Sequence, residues 1–195
     1  MNLTTLAEEA WFIDLLAGLN NSPWLGLLIG TLVTAVLQSS SAVIGVAQGI
    51  YGAAIASGVA TVNLFGILPI LFGANIGTTV TAVISCIGGS KDSKRVALFH
   101  VLYNVTGALL FMGVLYIAQG WLTTSSTWPL DPKMQLALSH LVFNFITAGI
   151  FLPLIKPITS LILKVVKDKP KAPITRCFLL PQAQLDTGKK LMLAK

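Results

Sequence analysis

The sequence predicts an all-α membrane protein made of a re-entrant helical hairpin, a broken transmembrane helix and a transmembrane helix pair. Composition is the first reason: of 195 residues 54% are hydrophobic and 10% charged, against roughly 25% charged residues in an average soluble domain, and mean hydropathy is +0.81. Charge placement is the second. No Lys, Arg, Asp or Glu lies between Asp14 and Lys91, and Arg95 to Asp131 and Lys133 to Lys156 bound two more uncharged stretches, each able to supply the roughly 20 apolar residues of a bilayer span. The third is that two polar clusters, Gln38 to Ser41 and Asn75 to Thr81, interrupt the first stretch where lipid would otherwise be expected.

Residues 1–22 are expected to form an amphipathic, extracytoplasmic segment. "MNLTTLAEEAWFIDLL" carries Glu8 and Glu9 where a cleavable signal has a basic region, so Met1 is expected to belong to the working chain. The hairpin is expected over 24–60. Its first limb, "WLGLLIGTLVTAVL", makes roughly 21 Å of helix, short of the roughly 30 Å hydrocarbon core. After the Gln-Ser-Ser-Ser run the second limb carries Gly45, Gly49, Gly52 and Gly58, small residues that let helix backbones approach closely. Two short helices meeting at a polar tip suit a re-entrant turn, because non-helical backbone at membrane depth needs protein or a wet cavity around it. Two complete spans would leave the chain on the same side, so limb length and glycine content favour the re-entrant form.

The broken helix is expected over 62–88, long enough to cross but marked by Pro69, Gly73 and Gly77 around Asn75, Thr78, Thr79 and Thr81. Helices are then expected over 96–118 and 134–166, joined by "QGWLTTSSTWPLDPK", a polar turn whose Trp121 and Trp128 suit the headgroup level. These two helices resemble each other: "VALFHVLYNVTGALLF" and "LALSHLVFNFITAGIF" match Ala97 with Ala137, His100 with His140, Asn104 with Asn144 and Phe111 with Phe151. Each pairs His and Asn on one helix face, which is expected to turn inward, either as interhelical hydrogen-bond glue or in transport. Neither His has a carboxylate near it in sequence.

The net charge of +6 is concentrated in loop 89–95, with Lys91, Lys94 and Arg95, and in a tail over 167–195. Basic segments beside spans face the cytoplasm, so both are expected inside, in a plasma (inner) membrane. Topology accounts for this charge, and no nucleic-acid partner is implied. Cys86 and Cys177 stand apart without metal-ligand spacing and read as small filler and an incidental thiol. A nucleophile elbow and a phosphate-binding Gly-Lys loop are both missing from the sequence, so an enzyme is not expected.

Interrupted helices expose carbonyls that suit Na+ and amides that suit anions, and Gln, Ser, Thr and Asn add donors and acceptors. A lone Ser or Thr in a membrane helix often bonds back to its own backbone; Gln38, Ser39, Ser40 and Ser41 together, mirrored by Asn75, Thr78, Thr79 and Thr81, point to a site. With no Lys or Arg near either cluster in sequence, an anion's charge would be met by co-bound cations and helix ends.

"TAVLQSSSA", "GANIGTTVTA", "RVALFHVLYN" and "LALSHLVFN" resemble the sodium-dependent phosphate cotransporter family, the type II sodium/phosphate symporters and their bacterial relatives, over Pro23 to Val166. The resemblance implies symport of inorganic phosphate with Na+ as coupling ion and no organic cofactor. It implies that Gln38, Ser39, Ser40 and Ser41 line the substrate and cation site beside Asn75, Thr78 and Thr79, with Thr81 more peripheral; Na+ is expected at Ser40, Ser41, Asn75 and Thr78. That family is built of two inverted halves, each with its own Gln-Ser-Ser-Ser motif, and this chain carries one. It looks like the C-terminal repeat, active with a complementary half or another copy, although the basic asymmetry argues against a copy of opposite orientation. The tail is similar to the linker that leads to a PhoU-like domain, so a truncated or split product is expected. A non-transporting membrane fragment and a carrier of another oxyanion are the alternatives.

Overall fold

A computed structural model describes residues 14, 18–58 and 63–167. Most of the expected N-terminal segment and nearly all of the basic tail, including Cys177, lie outside the described residues. Those described are helical wherever they are regular: α1 (Pro23–Leu37), α2 (Ser40–Ala56), α3 (Leu64–Gly77), α4 (Thr79–Ser85), α5 (Lys91–Ile117), a short α6 (Gln119–Leu122), a 3-10 turn at Ser125–Thr127, and α7 (Pro132–Val165). Leu64–Ser85, Lys91–Ile117 and Pro132–Val165 are long and apolar enough to cross a membrane, whereas α1 and α2 are shorter apolar helices.

Helix α3 is the centre. Almost every residue from Leu64 to Gly77 is buried, as expected of a helix apolar on all sides. Against it α1 packs more extensively than any other pair of helices, and glycines make this approach possible. A Cβ on Gly30 would collide with the Ile70 carbonyl, and one on Gly73 with the Leu27 carbonyl; on Gly77 it would lie 2.6 Å from the Thr31 oxygen and the Thr34 Cβ. The close approach therefore lies between α1 and α3. Of the glycines expected to provide it from the second limb, Gly45 and Gly58 have open space and Gly52 meets only the Lys133 side chain, at 3.3 Å.

The same contacts fix direction. Gly26 meets Pro69, Gly30 meets Ile70, and Thr34 meets Gly77, so α1 runs parallel to α3. The chain reverses at Gln38 and Ser39, and α2 returns to the end where α3 begins: Ser125 Oγ accepts from Leu64 N at 2.8 Å and lies 3.2 Å from the Tyr51 hydroxyl. Each limb packs more on α3 than on the other limb. An apolar cavity of about 270 Å³, lined by Ile29, Val33, Leu37, Val43, Val46 and Ile50 among others, separates them.

The expected break in the third element falls at Thr78 and is slight. Thr78 keeps a right-handed helical conformation (φ −62°, ψ −23°) and its N–H still reaches the Ala74 carbonyl at 3.3 Å, so α4 extends the line of α3. Lys91 to Arg95, expected in a loop, form the first turn of α5. Ser90 caps that turn by accepting from Ser93 N, and Asp92 suits the positive end of the helix.

Helices α5 and α7 are antiparallel. Phe111 and Phe143 are 4.8 Å apart and both meet Phe72 of α3, while Tyr103 meets Phe151 at 4.9 Å. These edge and stacked aromatic contacts lock three helices at mid-height. At the foot, Arg95 donates to the Val166 carbonyl from Nη2 (2.8 Å) and Nε (3.1 Å), closing the end of α7 onto the start of α5.

Candidate functional site

Gln38 is the residue on which the turn depends. It alone among the described non-glycine residues has positive φ (54°), and it ends α1 with its N–H on the Thr34 carbonyl at 2.7 Å. Such left-handed caps normally use Gly or Asn. Ser39 is extended and caps α2, its Oγ accepting from Ala42 N at 3.3 Å and lying 3.3 Å from the Ser41 hydroxyl. The first N–H groups of α2, those of Ser40 and Ser41, have no intrahelical acceptor. The tip thus sets the carbonyl end of α1, attractive to cations, beside the amide end of α2, attractive to anions. Gln38 and Ser41 are exposed, and Ser39 and Ser40 half-buried.

The second cluster has the opposite hydrogen-bond character. The hydroxyls of Thr78, Thr79 and Thr81 donate to the carbonyls of Asn75 (2.6 Å), Ile76 (2.7 Å) and Thr78 (2.8 Å), and Asn75 Nδ2 donates to the Leu71 carbonyl at 2.9 Å. Each hydroxyl proton is committed to its own helix, so what the side chains present is oxygen lone pairs. This is the backbone bonding weighed for an isolated hydroxyl, here repeated along one helical turn.

Close packing at Gly77 brings the two clusters to one level. The last turn of α1, at Thr34 and Ala35, abuts Gly77, the residue before Thr78. Among the described residues no hydrogen bond joins the side chains of the tip to those of Asn75, Thr78, Thr79 or Thr81. Between the clusters stands Thr34, which sequence reasoning missed: its side chain is wholly buried (0% exposed) and Oγ1 has no hydrogen-bond partner. A buried hydroxyl without a partner is uncommon and asks for a water or an ion. The available signal was its place one turn before Gln38.

The His-Asn pairs are not brought together. Asn104 Nδ2 donates to the His100 carbonyl (3.0 Å) and Asn144 Nδ2 to the His140 carbonyl (2.9 Å), the same local bond in both helices. Because the helices are antiparallel, Asn144 lies beside the Phe111–Phe143 contact and Asn104 beside Tyr103–Phe151, roughly 10 Å apart along the axis. Neither pair bonds across to another helix among the described residues.

A further polar centre was also missed, in what read as a simple turn. Ser125 and Tyr51 are both 0% exposed. The Tyr51 hydroxyl donates to Gln135 Oε1 at 3.0 Å, and Gln135 Nε2 donates to the carbonyls of Ser125 (3.1 Å) and Leu130 (2.8 Å). This network ties α2, the start of α3, the connection and α7 at the end opposite the tip, and its polar atoms satisfy one another, which suits a structural clamp. Trp121 and Trp128 stack beside it, 4.3 Å apart. Among the described residues no group of His, Cys, Asp and Glu has the arrangement to hold a metal ion.

The profile of the Na+/Pi-cotransporter family matches residues 2–162. The chain is 36% identical over 141 residues to the uncharacterized protein YqeW of Bacillus subtilis (strain 168), covering 72% of this chain and 43% of that protein. It is 36% identical over 96 residues to sodium-dependent phosphate transport protein 2C of Rattus norvegicus, and 32% identical over 92 residues to sodium-dependent phosphate transport protein 2B of Bos taurus. Those alignments cover 46% and 45% of this chain, but 15% and 12% of the mammalian proteins, so the chain spans less than half the length of these relatives. No solved structure matches it. With a family match over nearly its whole length and two polar clusters carried on apolar helices, the chain belongs to the Na+/Pi-cotransporter family, a family of transporters rather than enzymes with Na+ as coupling ion.

Proposed function

We propose that this chain is one repeat of a secondary active transporter that carries inorganic phosphate with Na+. The observation that carries the reading is the pairing, at one level of an otherwise apolar helix assembly, of a donor-bearing tip with an acceptor-bearing threonine turn. In this reading phosphate meets the Ser40 and Ser41 N–H groups, the Gln38 amide and the hydroxyls of Ser39, Ser40 and Ser41. Na+ takes the oxygens of Asn75 and Thr78, with Ser40 and Ser41 closing its shell and Thr79 and Thr81 supporting. No cationic side chain belongs to either cluster, so co-bound Na+ and the helix ends supply the charge that phosphate needs, which supports co-transport at such a site.

The hairpin is re-entrant in this reading, entering and leaving on the outer side of the plasma (inner) membrane. The Arg95–Val166 foot and the basic tail are then cytoplasmic, as the positive-inside rule favours. The tip is exposed, and polar groups at membrane depth must face protein or water. A complementary half, or another copy, bearing its own polar tip would cover it, and alternating access needs one such unit to move against another.

The test is Na+-dependent uptake of labelled phosphate in cells expressing the chain with and without a complementary half. Uptake is expected with both halves and is expected to fall at least tenfold in Ser39→Ala/Ser40→Ala. Absence of uptake with both halves would leave a non-transporting fragment. Unchanged uptake in the double variant would remove the tip from the site, and competition by sulfate or arsenate reads selectivity among oxyanions.

A further inference from the structure

We propose that the groove between α5 and α7 binds one anionic phospholipid of the leaflet on the Arg95 side, its acyl chain against the apolar walls and its phosphodiester at the lysines of the foot. The groove holds a cavity of about 240 Å³ whose walls include Leu102, Thr106 and Leu110 from α5 and Thr147, Phe151 and Leu161 from α7. Towards its upper end the helices touch: a Cβ on Gly107 would lie 2.8 Å from Thr147 Cγ2. From Thr147 to Leu161 the wall runs roughly 21 Å along α7, enough for the roughly 15 Å depth of one leaflet.

The foot is where the groove becomes cationic. Lys164 follows Leu161 by one turn, while Arg95 and Lys91 continue below Leu102 on the same face of α5. The Arg95–Val166 bonds bring these two ends together. Lys91 and Lys164 are exposed, and among the described residues the carboxylate nearest in sequence to the foot, Asp92, is ion-paired to Arg95 at 2.7 Å. Basic residues at the membrane-surface end of an interhelical groove favour an anionic headgroup. A zwitterionic lipid brings its own ammonium beside the phosphodiester and so neutralises the foot less, and an apolar partner helix leaves the lysines unmatched, so charge favours an anionic lipid.

The probe is the full chain in nonionic detergent, given palmitoyl-oleoyl phosphatidylglycerol or the matching phosphatidylcholine and read by native mass spectrometry. One phosphatidylglycerol is expected to be retained at roughly tenfold lower lipid concentration than phosphatidylcholine. Thr106→Phe, which fills the groove from an exposed position, should abolish retention of both. Lys91→Gln/Lys164→Gln should keep binding and erase the preference. Circular dichroism confirms that each variant keeps its helix content. Equal retention of the two lipids, Thr106→Phe with undiminished binding, or a second copy of the chain retained in place of lipid would each overturn the assignment.

Discussion

At Gln38 the chain adopts a conformation that its residue type opposes. Left-handed backbone costs a non-glycine residue roughly 1–2 kcal/mol, and strain of this kind gathers at functional sites. Gln38→Gly is therefore expected to raise stability by about 1 kcal/mol while Na+-dependent phosphate uptake collapses, because the turn is kept and the amide lost. A variant that is more stable and fully active would show that the amide has no role. Thr34 gives a second case. Thr34→Val keeps the shape and removes a buried hydroxyl that has no partner, so a gain of about 1 kcal/mol is expected in the absence of Na+. If that oxygen belongs to the cation's surroundings, the same variant needs more Na+ for half-maximal uptake. An unaltered Na+ dependence would reduce Thr34 to a packing residue.

At the scale of elements, the α1–α3 contact decides where the tip lies. Ala at Gly77 would press a methyl group against Thr31 and Thr34 at 2.6 Å, and forced overpacking costs roughly 1–3 kcal/mol. Gly45→Ala meets open space and should stabilise by about 0.5–1 kcal/mol through helix propensity. Thermal melts in detergent followed by circular dichroism separate the two, and equal melting temperatures would refute the close-packed pair. Both sets of glycines read alike in sequence, because periodicity finds a helix but not the neighbour it packs on. The helices and their polar interruptions were legible for a related reason: Pro23, Gln38 and the charge clusters act locally. Thr34 was not legible, since one hydroxyl in an apolar run becomes informative only when burial and the missing partner are known. Ser125 was hidden in the same way, its composition being that of any polar turn although its oxygen holds the start of α3. The Lys91–Arg95 turn read as loop because charge masked its Ser90 cap.

For the whole molecule the decisive quantity is the depth of the tip. Thr34 abuts Gly77, and Gln38 lies one turn, roughly 6 Å, further along α1. Beyond the level of Gly77 the chain continues through Ser85 for roughly 12 Å. In the proposed arrangement a hairpin whose tip lies roughly 6 Å short of the level of Ser85 stops inside the hydrocarbon core. Two complete spans would instead deliver Gln38 and Ser39 to the surface reached by Cys86. Single-cysteine variants distinguish these arrangements once Cys86 and Cys177 are replaced by Ser. With a membrane-impermeant thiol reagent, Ser90→Cys should label rapidly from the cytoplasmic side. Ser39→Cys should label slowly or not at all from that side, and should become protected when Na+ and phosphate are both present. Rapid cytoplasmic labelling at both positions, unaffected by either solute, would replace the re-entrant hairpin with two crossing helices. The tip would then be a surface loop, and the Thr78–Thr81 oxygens, held at the same level by the packing at Gly77, would lie near that surface with it.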